Sequence, residues 1–83
     1  MINIAICDDD LIVTKSLEKM LYEMAAESNV TIRCESFYDG AALAEVVTEQ
    51  HSYFDLIYLD IEMENMDGIH TALLLRDLAL PVL

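Results

Sequence analysis

Acidic residues that could do chemistry fall at two places in this 83-residue chain. Asp8, Asp9 and Asp10 follow the apolar run Ile2 to Cys7 directly, and Asp60 ends a second apolar run, Phe54 to Leu59. Three carboxylates within several ångströms of one another repel, and without a compensating cation one of them keeps its proton through a raised pKa. All-oxygen donors with room for water suit Mg2+, which takes a few carboxylates plus the oxygens of a phosphate ligand. An Asp after a strand is also an ordinary helix cap or turn former. A second acid at the end of another apolar strand, followed by the turn signal Asn65-Met66-Asp67-Gly68, favours a site over a cap.

For those acids to meet, parallel strands must deliver them to one end of a sheet. Four short runs read as strands: Ile2 to Cys7, Thr31 to Phe37, Phe54 to Leu59, and a last one opening at Pro81. Between them lie helical patterns. A helix over Leu11 to Glu27 carries Leu17, Met20, Leu21 and Met24 at i, i+3, i+4 and i+7, a single apolar stripe. Leu43, Val46 and Val47 repeat the pattern more briefly, and a third helix from Gly68 to Leu78 is apolar over most of its girth, which predicts two buried sides. Asp10 is the expected N-cap of the first helix and Asp39-Gly40 the entry to the second.

Strands alternating with helices mean βαβ crossovers, so the fold class is α/β, a doubly wound parallel sheet covered on both faces. The strand starts repeat roughly every 26 residues, and a five-stranded domain of this kind needs on the order of 115–130. Residues 1–83 therefore read as one domain made of three βα units and the start of a fourth strand. In open α/β sheets ligands bind beyond the carboxyl ends of the strands where strand order reverses. If the first and third strands are neighbours, Asp8, Asp9 and Asp60 surround one ion.

Composition removes several other classes. Hydrophobic residues make up 55% of the chain, too many for intrinsic disorder, and 16 Asp plus Glu against 4 Lys plus Arg leave a net charge of −12. Such a field repels nucleic-acid backbones and anionic membrane surfaces, and Lys15, Lys19, Arg33 and Arg76 form no basic patch. No run is long and apolar enough for a transmembrane helix or signal peptide, so the expected location is cytoplasmic. Cys7 and Cys34 sit in apolar surroundings that favour buried reduced thiols over a disulfide, and His51 and His70 lie at no zinc-like spacing from them. Both histidines read as structural or solvated, and Met20, Met24, Met63 and Met66 as packing. A calcium loop starting at Asp60 fails because Asn65 takes the place of the required Gly and Thr71 that of the bidentate Glu.

The segments Ile4-Ala5-Ile6-Cys7-Asp8-Asp9-Asp10, Asp39-Gly40, Leu56-Ile57-Tyr58-Leu59-Asp60-Ile61-Glu62-Met63 and Met66-Asp67-Gly68 together resemble the receiver domain of bacterial two-component response regulators. The resemblance covers the whole chain and implies the flavodoxin-like strand order 2-1-3-4-5. It also implies that Asp60 is the phosphoacceptor of a phosphorelay, taking a phosphoryl group from a sensor histidine kinase; the chain is then a signalling phosphoprotein and not an enzyme. On the same basis Asp9 and Asp60 ligate Mg2+ directly, Asp8 holds it largely through water, and the backbone carbonyl of Glu62 supplies a further ligand. The opening Ile-Ala-Ile-Cys-Asp-Asp is also similar to receivers attached to LytTR-type DNA-binding domains, which implies a DNA-binding effector and transcription regulation in the full-length protein.

The chain departs from that pattern in two ways. Glu64-Asn65 stands where the family usually has Pro-Gly, losing the fixed φ of proline while Asn still accepts a left-handed conformation. The hydroxyl residue and the Lys that the family carries at the ends of its fourth and fifth strands lie past Leu83, so impaired phosphorylation is expected of this segment. An uncovered third strand predicts self-association or strand exchange. Two rival functions fit parts of the sequence. A haloacid-dehalogenase-like phosphatase would use Asp8 as nucleophile and Asp10 as general acid, although Leu11 replaces the small residue expected next. A receiver-like module could instead keep the fold for protein interaction without phosphorylation.

Overall fold

The computed structural model describes residues 1–50 and 52–60. Glu62, Met63, Met66, His51, His70, the third helix and the strand at Pro81 lie outside the described residues. Within them the chain runs β1 (Ile2–Cys7), α1 (Leu11–Glu27), β2 (Ile32–Phe37), α2 (Gly40–Glu49) and β3 (Leu56–Leu59). The strands form a parallel sheet in the order β2-β1-β3, the first three places of the expected arrangement. Two βαβ steps of opposite direction put β1 in the middle. Ile4 pairs with Cys34 on one side and Leu56 on the other, and Cys7 pairs with Phe37 and Leu59.

Alternation along β1 separates two faces. Ala5 and Cys7 point toward α2, where they join Leu43, Val47, Phe54, Ile57 and Leu59 in one buried cluster edged by Phe37, Val46 and Tyr53. Phe54 is the plug of that cluster, meeting Phe37 and Tyr53 edge-on with ring centroids 5.8 and 4.8 Å away. Ile4 and Ile6 are buried on the opposite face, and their half-buried register partners Cys34 and Ser36 are held by side chains of α1.

Several local readings change, the smallest being that β2 starts at Ile32, one residue after the expected Thr31. β3 starts at Leu56 and not at Phe54, because the pairing there runs through a side chain: Asp55 donates its N–H to the Asn3 carbonyl at 2.8 Å and accepts the Asn3 N–H on Oδ2 at 2.8 Å. The inward line of α1 is also rotated from the expected stripe. Thr14 is fully buried and Leu17, Glu18, Leu21 and Ala25 are half-buried, whereas Met20 and Met24 are 52% and 57% exposed. Thr14 can be buried because its hydroxyl donates to the Asp10 carbonyl at 3.0 Å, which satisfies that polar group away from water. α1 ends where Asn29 takes φ 56°, with Asn29 N–H bonding Ala26 and Val30 N–H bonding Ala25, the paired reversal that turns the chain into β2.

Both cysteines are free thiols, as expected, but only Cys7 is buried and Cys34 is half-buried. No helix among the described residues is long and apolar enough to cross a membrane.

Candidate functional site

The last ladder bonds on either side of β1 fix the acids. Asp8 donates its N–H to the Phe37 carbonyl of β2 at 3.0 Å, and Asp60 donates its N–H to the Cys7 carbonyl of β1 at 2.9 Å. Asp8 and Asp60 therefore leave the sheet side by side at the carboxyl ends of adjacent strands. The chain then turns into α1 through two carboxylates in series. Asp8 Oδ1 accepts the Asp10 N–H at 2.9 Å, and Asp10 Oδ1 accepts the N–H groups of Ile12 and Val13 at 2.9 and 3.3 Å. Asp10 is the N-cap, as its sequence position predicts.

Asp9 has no such duty and is exposed at the apex of the turn. Each of Asp8, Asp9 and Asp60 offers a carboxylate oxygen, and these oxygens all lie within 4.8 Å of one another. Opposite ligands on an octahedral Mg2+ stand about 4.2 Å apart, so the trio fits a small hard cation with one carboxylate meeting it through water or a slight rotation. Burial differs across the trio. Asp8 is buried, Asp60 half-buried and Asp9 exposed, giving the cluster one dry wall and one open side.

That gradient shows in the acidity of Asp8, whose carboxyl is held above its usual range. Desolvation is the largest cause, and the Asp60 and Asp9 charges act in the same direction; the hydrogen bond from the Asp10 N–H opposes them. Behind the acids, burial pushes the Cys7 thiol up to about 12, helped by the charges of Asp39, Asp8, Asp60 and Asp9. Its Sγ donates to the Asp39 carbonyl at 3.5 Å, so the thiol is packing under the site and not a nucleophile in it.

Of the residues expected to act together, Asp8, Asp9 and Asp60 are brought together and Glu62 lies outside the described residues. Asp10 is not in the cluster: its carboxylate is spent on two amides of α1, which removes the group that the phosphatase reading needed as general acid. The thiol link from Cys7 to Asp39 and the buried Thr14 were not legible from residue types, since each depends on how two turns stack in space.

A family model described as the response regulator receiver domain matches residues 4–83. Stress response regulator protein 1 of Candida tropicalis is 34% identical over 71 residues, covering 86% of this chain and 25% of that protein. The chain thus spans about a quarter of the length of the curated relative it matches. With the strand order, the paired strand-terminal acids and the match over nearly its whole length in agreement, the chain belongs to the response regulator receiver domain family.

Proposed function

We propose that this chain is the phosphoacceptor part of a two-component phosphorelay and that Asp60 receives the phosphoryl group from the phosphohistidine of a sensor kinase. What carries the reading is the set of three carboxylate oxygens within 4.8 Å at the ends of neighbouring parallel strands. Asp9 and Asp60 would hold Mg2+ directly, with Asp8 acting largely through water and the Glu62 backbone carbonyl completing the chain's donors. Bound there, Mg2+ would neutralise charge on the transferring phosphoryl group. Asp60 Oδ attacks phosphorus in line; the O–P bond forms as the N–P bond of the phosphohistidine breaks, and the imidazole nitrogen leaves with the electron pair. Asp8, anchored by its ladder bond and by the Asp10 N–H, orients the cluster from the dry side. Asp9 meets the incoming donor from the open side.

Residues 1–83 then form the N-terminal part of the receiver, three βα units and the start of a fourth strand. The longer protein would carry an effector, for which a DNA-binding domain is the proposed partner. Incubation with acetyl phosphate and Mg2+ followed by intact-mass spectrometry tests the acceptor. One labile phosphoryl adduct, lost in Asp60→Asn and lost on chelation, is the expected result. An adduct that survives Asp60→Asn overturns the assignment. Absence of any adduct, together with no Mg2+-dependent binding of beryllofluoride, favours the phosphorylation-independent module.

A further inference from the structure

The outer edge of β2 is met by two side chains of α1. Ile2 donates to the Thr31 carbonyl and Asp8 to the Phe37 carbonyl, so the odd-numbered residues of β2 bond β1. In a parallel ladder the alternate residues turn their amide groups the other way, and Ile32, Cys34 and Ser36 therefore present theirs to the outside. Such a row is a template for another strand. Here the middle donor is taken. Cys34 donates its N–H to the Tyr22 hydroxyl of α1 at 3.0 Å, and one turn back on the helix Glu18 Oε1 accepts the Ser36 hydroxyl at 2.5 Å. Residues four apart on α1 thus reach over residues two apart on β2, a strap of two hydrogen bonds across the edge.

The segment under the strap is self-complementary. An antiparallel pairing of β2 with a second copy, centred on Cys34, sets Cys34 opposite Cys34, Ile32 opposite Ser36, and Arg33 opposite Glu35 at both ends of the two-fold. Arg33 is exposed and Glu35 half-buried, so both charges are free to meet a partner across the strands. No other register opposes the one cation of β2 to its one anion twice. The same register needs the Cys34 N–H to bond the Cys34 carbonyl of the other copy, the bond that the Tyr22 hydroxyl pre-empts.

We propose that the β2 edge is a pairing surface for a second copy of this chain, held closed by Tyr22 with Glu18 in support. This stands apart from the phosphoacceptor reading, because none of Glu18, Tyr22, Arg33, Cys34, Glu35 or Ser36 belongs to the acidic cluster. Tyr22 is itself 45% exposed, so its ring can be removed without opening the core. Each copy carries −12, and the measurement belongs at about 0.15 M ionic strength, where the Debye length is about 8 Å. Under those conditions Tyr22→Ala is expected to sediment at twice the mass of the wild-type chain at tens of micromolar. Adding Arg33→Glu returns it to the wild-type mass, and adding Glu35→Arg to that variant restores the doubled mass. Tyr22→Phe, which keeps the ring packed, is expected to speed hydrogen exchange at the Cys34 amide when dilute and to slow it again on concentration. Wild-type mass for Tyr22→Ala, a larger assembly indifferent to the charge exchange, or unchanged Cys34 exchange in Tyr22→Phe overturns the proposal.

Discussion

Two strand-to-helix turns stand at the same end of the sheet and solve the same capping problem, yet only one of them has acids to spare. Between β2 and α2, Asp39 caps the helix by accepting the Ala42 N–H at 2.8 Å, and its carbonyl takes the Cys7 thiol. One carboxylate arrives and one is used. Between β1 and α1, Asp10 does the same work with two amides, and Asp8 and Asp9 remain to face Asp60 across the gap to β3. Capping explains an acid in each turn; it explains neither the buried Asp8 nor the exposed Asp9. The surplus at the central strand, where neighbours stand on both sides, is what distinguishes a site from a cap.

Removing the surplus should have the largest effect. Asp8→Asn keeps an oxygen for the Asp10 N–H but deletes the charge that burial and its neighbours oppose. The metal-free chain is expected to gain about 1 kcal/mol in denaturant unfolding at neutral pH, while Mg2+ affinity falls about tenfold or more. The pH dependence carries the same sign. A carboxyl whose folded pKa is raised contributes stability fully present below its unfolded value of 3.8, lost as pH rises through the folded value. Unfolding midpoints for wild type should therefore drop across that window relative to Asp8→Asn, and saturating Mg2+ should recover the loss. A destabilised Asp8→Asn that binds Mg2+ normally would mean that Asp8 is merely part of the turn.

Next come the caps, where the two turns should behave alike. Asp10→Ala and Asp39→Ala are each expected to cost about 1 kcal/mol, with Asp10→Ala the more severe because two amides lose an acceptor and not one. Mg2+ affinity, read by calorimetry, should change by less than about threefold in either variant, since both charges lie outside the cluster and are screened by solvent. A loss in Asp10→Ala as large as in Asp8→Asn would erase the distinction between capping and binding in the first turn.

Those distinctions bear on how much the sequence discloses. The parallel α/β class was legible because apolar runs ending in acids are spaced by helical segments, whereas the order β2-β1-β3, and with it the meeting of Asp8, Asp9 and Asp60, came from the family resemblance and not from spacing. Asp10 and Asp39 were legible as caps because capping is local. The phase of α1 was not. Leu17, Met20, Leu21 and Met24 make a better apolar stripe than Thr14, Leu17, Glu18, Leu21 and Ala25, yet the cap at Asp10 and the reach of Glu18 and Tyr22 to β2 set the rotation. Polar side chains whose partners are 12 and 18 residues away carry no periodic signal. The same holds for Asp55, whose side chain extends the sheet where a strand residue would have used its backbone.

The smallest effect concerns the residue on which both turns rest. Cys7 is fully buried, its thiol pushed up to about 12, and so at pH 8 only roughly one molecule in ten thousand carries the thiolate. Iodoacetamide should label the half-buried Cys34 first, and Cys7 only through opening of the core. The labelling rate of Cys7 then reports the stability of both turns at once: Asp10→Ala or Asp39→Ala should each raise it about fivefold for about 1 kcal/mol, and Mg2+ should lower it. Above pH 9 the raised pKa makes stability itself depend on pH. Stability is intact below the unfolded value of 9.0 and declines as pH climbs toward about 12, because the unfolded chain releases the proton that the folded one retains. Equal labelling of the two cysteines in the folded chain would show that the thiol faces solvent, and the shelf shared by the two turns would have to be redrawn.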